Sequence, residues 1–193
     1  MRDPFNILVA GVGGQGNLVC GRVLAEAAIQ LDLRPVVGDT FGASRRGGSV
    51  FTHLRIGKRD WAPLIPVGEA DILLGLEPLE SLRAAIDFAG ERTIAVVSLS
   101  KIPIAEVSRG RAEYPPLNKI IQSLEDNCKT VYALDSDTAL KKVGTGRILN
   151  TFMLGALSII HENPLPRDIM LRALQTILGN DTKNTLAFED GGI

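Results

Sequence analysis

The feature that most constrains this chain is a short apolar run, Asn6-Ile-Leu-Val-Ala10, that breaks into Gly11-Val-Gly-Gly-Gln-Gly16 and at once takes up helical period. From Val19 the apolar positions 19, 20, 23, 24, 27, 28 and 31 form one stripe, with Arg22, Glu26 and Gln30 opposite. Strand, glycine turn and amphipathic helix in that order open a βαβ unit and commit the chain to an α/β sheet.

The remaining residues continue the alternation. Pro35-Val-Val-Gly38 predicts a second strand with Asp39 near its end, and the loop from Thr40 to Gly48 leads into an alternating strand, Ser49 to Ile56, closed by a Gly57-Lys58 turn. Ala70–Gly75 and Thr93–Leu99 are nearly continuous apolar runs, as in strands covered on both faces. Helices are predicted over Pro78–Phe88 and, after Tyr114-Pro-Pro116, over Leu117–Leu124; Thr130–Leu134 is another strand, with Asp135 and Ser136 capping the segment after it. Two helices, Arg147–His161 and Pro166–Leu178, close the chain. The expected fold class is α/β: a single Rossmann-like domain spanning 1–193, with a parallel-rich sheet and helices on both faces. The helix from Arg147 is apolar around most of its circumference, leaving only Arg147, Thr151, Gly155 and Ser158 as a small or polar strip. It is either the interior helix of a large core or a helix partly covered by another subunit.

Composition removes several function classes. With 45% hydrophobic and 22% charged residues the chain can bury a core, so disorder is excluded. A net charge of −1, with no Lys/Arg run longer than two, is not the concentrated basic surface that nucleic-acid binding requires. Cys20 and Cys128 lie far apart with no CxxC, which removes zinc ribbons, iron–sulfur ligation and a disulfide framework. Neither the N-terminus nor Ile148–Ile160 has the length of a signal peptide or a membrane span, and a cytoplasmic chain with reduced thiols is expected.

Two glycine segments are the candidates for chemistry. Gly11, Gly13, Gly14, Gln15 and Gly16 form a tight turn at the positive end of a helix, open to an anionic group. Asp39, 23 residues past Gly16, stands near the spacing of a ribose-binding acid in dinucleotide enzymes. The same glycines also serve helix–strand packing, and the motif alone does not separate the two. In Gly42-Ala-Ser-Arg-Arg-Gly-Gly-Ser49, Arg45 and Arg46 beside Gly47, Gly48 and Ser49 suit a carboxylate or phosphate, or else form a solvated turn. His53 and His161 read as structural, and Glu77 and Glu80 as residues welcome at a helix N-terminus. No metal site is expected.

Together, Gly11–Gly16, Arg45-Arg46-Gly47-Gly48-Ser49-Val50, Pro63-Leu-Ile-Pro66, Gly68–Leu74, Glu77-Pro-Leu-Glu80, Ala112–Pro115, Leu154–Leu157 and Asn184–Phe188 resemble the gamma domain of 2-oxoacid:ferredoxin oxidoreductases. The likeness runs nearly the whole chain and is strongest to the small (beta) subunit of the indolepyruvate type. What the resemblance implies is a complex that decarboxylates a 2-oxo acid, such as an arylpyruvate, forms an acyl-CoA and passes electrons to ferredoxin. Thiamine diphosphate, Mg2+ and [4Fe-4S] clusters would belong to a larger partner subunit, since this chain has two cysteines and no GDG-type diphosphate motif. On that view the Gly42–Ser49 loop faces the partner's thiamine and substrate cleft, and CoA is a co-substrate. The competing expectation is a stand-alone NAD(P)-dependent dehydrogenase or nucleotide sensor using Gly11–Gly16 and Asp39.

Overall fold

The computed structural model describes residues 2–42, 48–102, 113–143 and 148–192. Within them lie β1 (Phe5–Val12), α1 (Asn17–Ile29), β2 (Arg34–Phe41), β3 (Ser49–Gly57), β4 (Ile72–Gly75), α2 (Pro78–Phe88) and β5 (Ile94–Ser98). After them come α3 (Leu117–Asn127), β6 (Thr130–Leu134), α4 (Ser136–Val143), α5 (Leu149–Ser158), α6 (Arg167–Leu178) and α7 (Thr182–Gly191).

The six strands form one sheet in the order β2-β3-β1-β4-β5-β6. β1, β4, β5 and β6 are mutually parallel, whereas β3 runs antiparallel to both β1 and β2. The crossover through α1 therefore sets β2 two strand positions from β1, and the hairpin return of β3 fills the place between them. Alternation along the strands sends Ile7, Val9, Leu54, Ile72, Leu74 and Val96 to one face, against α1, α5, α6 and α7. Leu8, Ala10, Leu73, Ala95 and Val97 point the other way, where α2 and α3 bring Ala84, Ala85, Ile120 and Leu124. The parallel-rich sheet with helices on both faces is thus observed.

α7 has no counterpart in the sequence pattern, because Thr182–Gly191 carries no apolar stripe. Asp181 starts the helix by accepting from the Lys183 amide at 3.0 Å, and Phe188 is fully buried. This helix covers Thr151 and Gly155 of the polar strip of α5. Thr151 Oγ1 donates to Asn184 Oδ1 at 3.2 Å, and the backbones cross so closely that a Cβ at Gly155 would overlap the Phe188 carbonyl, and one at Gly191 that of Phe152. Ser158 of the strip accepts from Arg167 of α6 at 2.9 Å, and Leu149–Leu157 are all buried, so over its described residues α5 is an interior helix; Arg147 lies outside the described residues.

No helix among the described residues is long and apolar enough to cross a membrane. Cys20 is buried under α5, and burial pushes its thiol up to about 12; Cys128, half-buried, is pushed up to about 11 by the same cause. With an alkylating reagent near neutral pH, slow labelling of Cys128 and labelling of Cys20 only on unfolding are expected. Native-state labelling of Cys20 at the rate of a free thiol would contradict that burial.

Candidate functional site

α1 leaves β1 over one face of the sheet and α2 leaves β4 over the other, so the connections part between β1 and β4. The crevice at the carboxyl ends of these strands is where open α/β sheets take ligands. Here a side chain of the same molecule occupies it. Gln15 Oε1 accepts from the Val12 amide at 2.7 Å, and Gln15 Nε2 donates to the Leu76 carbonyl at 2.8 Å, bridging the ends of β1 and β4. The turn also spends its own donors: the Gly13 amide goes to the Gly48 carbonyl at 2.9 Å and the Gln15 amide to Val12 at 3.1 Å. Gly16, at φ 92°, is required both by that left-handed backbone and by Asn150, whose Nδ2 lies 2.7 Å from where a Cβ would stand.

Two clefts flank the turn and share Gly14 and Gly16. One, of about 290 Å3, lies toward β2 and β3, with Asn17, Leu18, Phe41 and Val50 in its wall. The other, of about 340 Å3, lies toward the C-terminal helices and adds Gln15, Val19, Asn150, Leu178 and Asn184. Asn150 and Asn184, polar residues with no role evident in sequence, thus belong to the wall of one cleft beside the glycine turn. Only the packing of α5 on α1, and of α7 on α5, brings them there.

Further along the same edge, buried Glu77 works in two directions. Its Oε2 caps α2 by accepting from the Glu80 amide at 2.9 Å, and its Oε1 accepts from Tyr114 Oη at 2.6 Å. Burial, and after it the bond to Glu77, pushes the Tyr114 phenol far above its usual range, so it stays a donor. The acidic N-terminus of α2 was legible in sequence; the pairing of Tyr114 with Glu77, 37 positions away, was not. Lys101 stands over the Tyr114 ring at 5.5 Å, completing a small polar group beside the ends of β4 and β5.

The fold joins the two glycine segments and separates Asp39 from them. Gly13, Gly14, Gln15 and Gly16 form the turn, whereas Gly11, expected in it, lies within β1 opposite Val50; Gly48 and Ser49 meet the turn, Gly48 through Gly13 and Ser49 opposite Val12 in the ladder. The two glycine segments therefore share one edge of the molecule. Arg45, Arg46 and Gly47 lie outside the described residues. Asp39 sits on β2 with β3 between it and β1, and its carboxylate accepts from Thr52 Oγ1 at 2.6 Å. It is not placed to bind a ribose over the Gly11–Gly16 turn. His53 is buried against Phe88, takes the Ile65 amide on Nδ1 at 3.3 Å and is driven toward the neutral ring by burial, as a structural histidine. His161 lies beyond the end of α5. Among the described residues no three potential ligands cluster as a metal would need.

Fold and site together define a Rossmann-type α/β domain whose glycine turn is braced by its own chain and joined to a second glycine loop. The sequence matches the family described as pyruvate ferredoxin/flavodoxin oxidoreductase over residues 6–192, and the chain belongs to that family. It is 35% identical over 189 residues to the indolepyruvate oxidoreductase subunit IorB of Methanothermobacter thermautotrophicus, covering 97% of this chain and 95% of that one. Among solved structures, the keto/oxoacid ferredoxin oxidoreductase gamma subunit of Geobacter sulfurreducens superposes with a TM-score of 0.68 at 21% identity, covering 97% and 96%. The 2-oxoglutarate:ferredoxin oxidoreductase of Magnetococcus marinus superposes with a TM-score of 0.70 at 18% identity, covering 99% of this chain but 31% of that larger one.

Proposed function

We infer that this chain is the small subunit of a 2-oxoacid:ferredoxin oxidoreductase, completing a larger subunit that carries the thiamine diphosphate, Mg2+ and [4Fe-4S] clusters. The near full-length family match carries this reading. The donor set agrees: a four-iron cluster takes four thiolates, the chain has two cysteines, and Cys20 is sealed in the core. The competing dinucleotide reading is disfavoured by Gln15 in the crevice and by Asp39 two strands from β1. The substrate we propose is indolepyruvate or another arylpyruvate, in keeping with the name of the 35% identical relative, with CoA accepting the acyl group and ferredoxin the electrons. The complex is proposed to be cytoplasmic.

The face offered to the larger subunit is the edge where Gly13 meets Gly48. There Arg45 and Arg46 draw the carboxylate of the 2-oxo acid, or the phosphates of CoA, by charge-assisted hydrogen bonds. The test is anaerobic co-expression with the larger subunit and then assay of 2-oxo acid-dependent ferredoxin reduction. A brown complex that prefers arylpyruvates to pyruvate is expected. Replacing both arginines with Ala should leave assembly intact and raise the KM for 2-oxo acid or CoA about tenfold or more, since one charge-assisted bond contributes roughly 1.5–3 kcal/mol. Unchanged kinetics would remove the arginines from this role. Micromolar binding of NAD(H) by the chain alone would overturn the subunit reading itself.

A further inference from the structure

α1 carries a surface stripe that the described residues leave uncovered. Leu18, Arg22 and Ile29 are exposed and Ala25 and Glu26 half-exposed, at the spacing of successive turns along one helix face. Beside the stripe runs edge strand β2, which turns Val37, Asp39 and Phe41 outward on the same face of the sheet; Ile29 and Phe41 are each 56% exposed. Between them lies a groove of about 380 Å3, lined by Leu18, Arg22, Glu26, Ile29, Val37 and Asp39 among others. An apolar groove with one base and two acids along it is not an ordinary solvated helix face.

The order of charges along α1 says what fits. Two copies of the helix laid antiparallel about a two-fold axis between Arg22 and Glu26 put Leu18 of one against Ile29 of the other at both ends. Arg22 of each then faces Glu26 of its mate, with Asp39 lining the same groove. An isologous contact must be complementary to itself, and this stripe is, in both apolar residues and charge. We propose that the exposed α1 face beside β2 is a homodimer interface, covered by the same face of a second copy of this chain. The pair leaves free the crevice edge at Gln15 and Leu76. Because Leu18 also lines the cleft beside Gly13 and Gly14, the dimer axis passes near the edge offered to the larger subunit.

The test is sedimentation of the full chain alone from about 1 to 100 µM, with R22E, E26R, the double variant R22E/E26R and I29D. These side chains lie at the surface of the lone chain, and an unchanged far-ultraviolet circular dichroism spectrum confirms that each variant is folded. A dimer is expected whose dissociation constant rises at least tenfold in R22E, in E26R and in I29D, and returns toward the original in the double variant, where the two pairs re-form with signs exchanged. A chain that stays monomeric at the highest concentration overturns the proposal, as does a dimer indifferent to R22E or not restored by the double variant. If the lone chain is monomeric and R22E instead abolishes capture of the larger subunit, the groove belongs to that subunit and not to a second copy. The sedimentation itself needs neither partner nor turnover, so its failure leaves the oxidoreductase reading standing.

Discussion

Replacing Gly155 with Val is expected to lower the melting temperature by roughly 6 to 12 °C, about 3 kcal/mol at a few degrees per kcal/mol for a domain of this size. The obstacle is the Phe188 carbonyl, a backbone group fixed in α7, so no rotamer change relieves the overlap. Ala at the same position makes the sharper comparison. On helix propensity alone, Gly to Ala inside α5 should stabilise by about 0.5–1 kcal/mol. The crossing with α7 reverses the sign, because even a single methyl meets that carbonyl. Thermal unfolding monitored by circular dichroism decides it: a melting temperature raised by Gly155→Ala would mean that α5 and α7 do not touch.

The same crossing marks the limit of what the sequence reveals. β1, β4 and β5 were legible because strands buried on both faces are largely apolar, and α2 because Glu77-Pro78 is a start signal with its own hydrogen-bond logic. α7 was not, since its stability comes from Phe188 and from two glycines that let backbones meet, features of tertiary contact with no helical period. The antiparallel hairpin β2–β3 was hidden for a different reason. Its strands alternate as expected, but which neighbour an alternating strand pairs with is decided by the length of the connections, not by the strand itself.

The site divides along similar lines. The glycine turn is local, so its residues and their approximate shape came from spacing. Asp39 stood at a plausible distance along the chain and in the wrong place in the sheet, since a count of residues cannot register that β3 intervenes. Tyr114 with Glu77, and Asn150 with the glycine turn, join residues from distant segments through the fold alone. The motif resembles a dinucleotide cradle in everything but the identity of its fifth residue. Gln15 has an acceptor and a donor where an open crevice has none, and in this chain both are used.

That residue is where the bracing can be tested most directly. Gln15→Glu is expected to cost about 2 kcal/mol at neutral pH, roughly 4 to 8 °C in melting temperature. The variant keeps the shape and the bond from the Val12 amide, but loses the donor to Leu76 and sets a carboxylate oxygen against that carbonyl. The protonated acid restores the bond, donating its proton to Leu76. Its carboxyl is therefore raised in the folded chain above the unfolded value of about 4.3. A group raised on folding contributes stability below its unfolded value and loses it as pH rises through the folded one, so the deficit against the original chain is full at pH 7 and shrinks on acidification. Gln15→Ala, with no group to titrate, should show a deficit that does not recover in acid. Equal stability of Gln15→Glu and the original chain at pH 7 would mean that Gln15 does not hold β1 to β4, and would reopen the crevice as a ligand site.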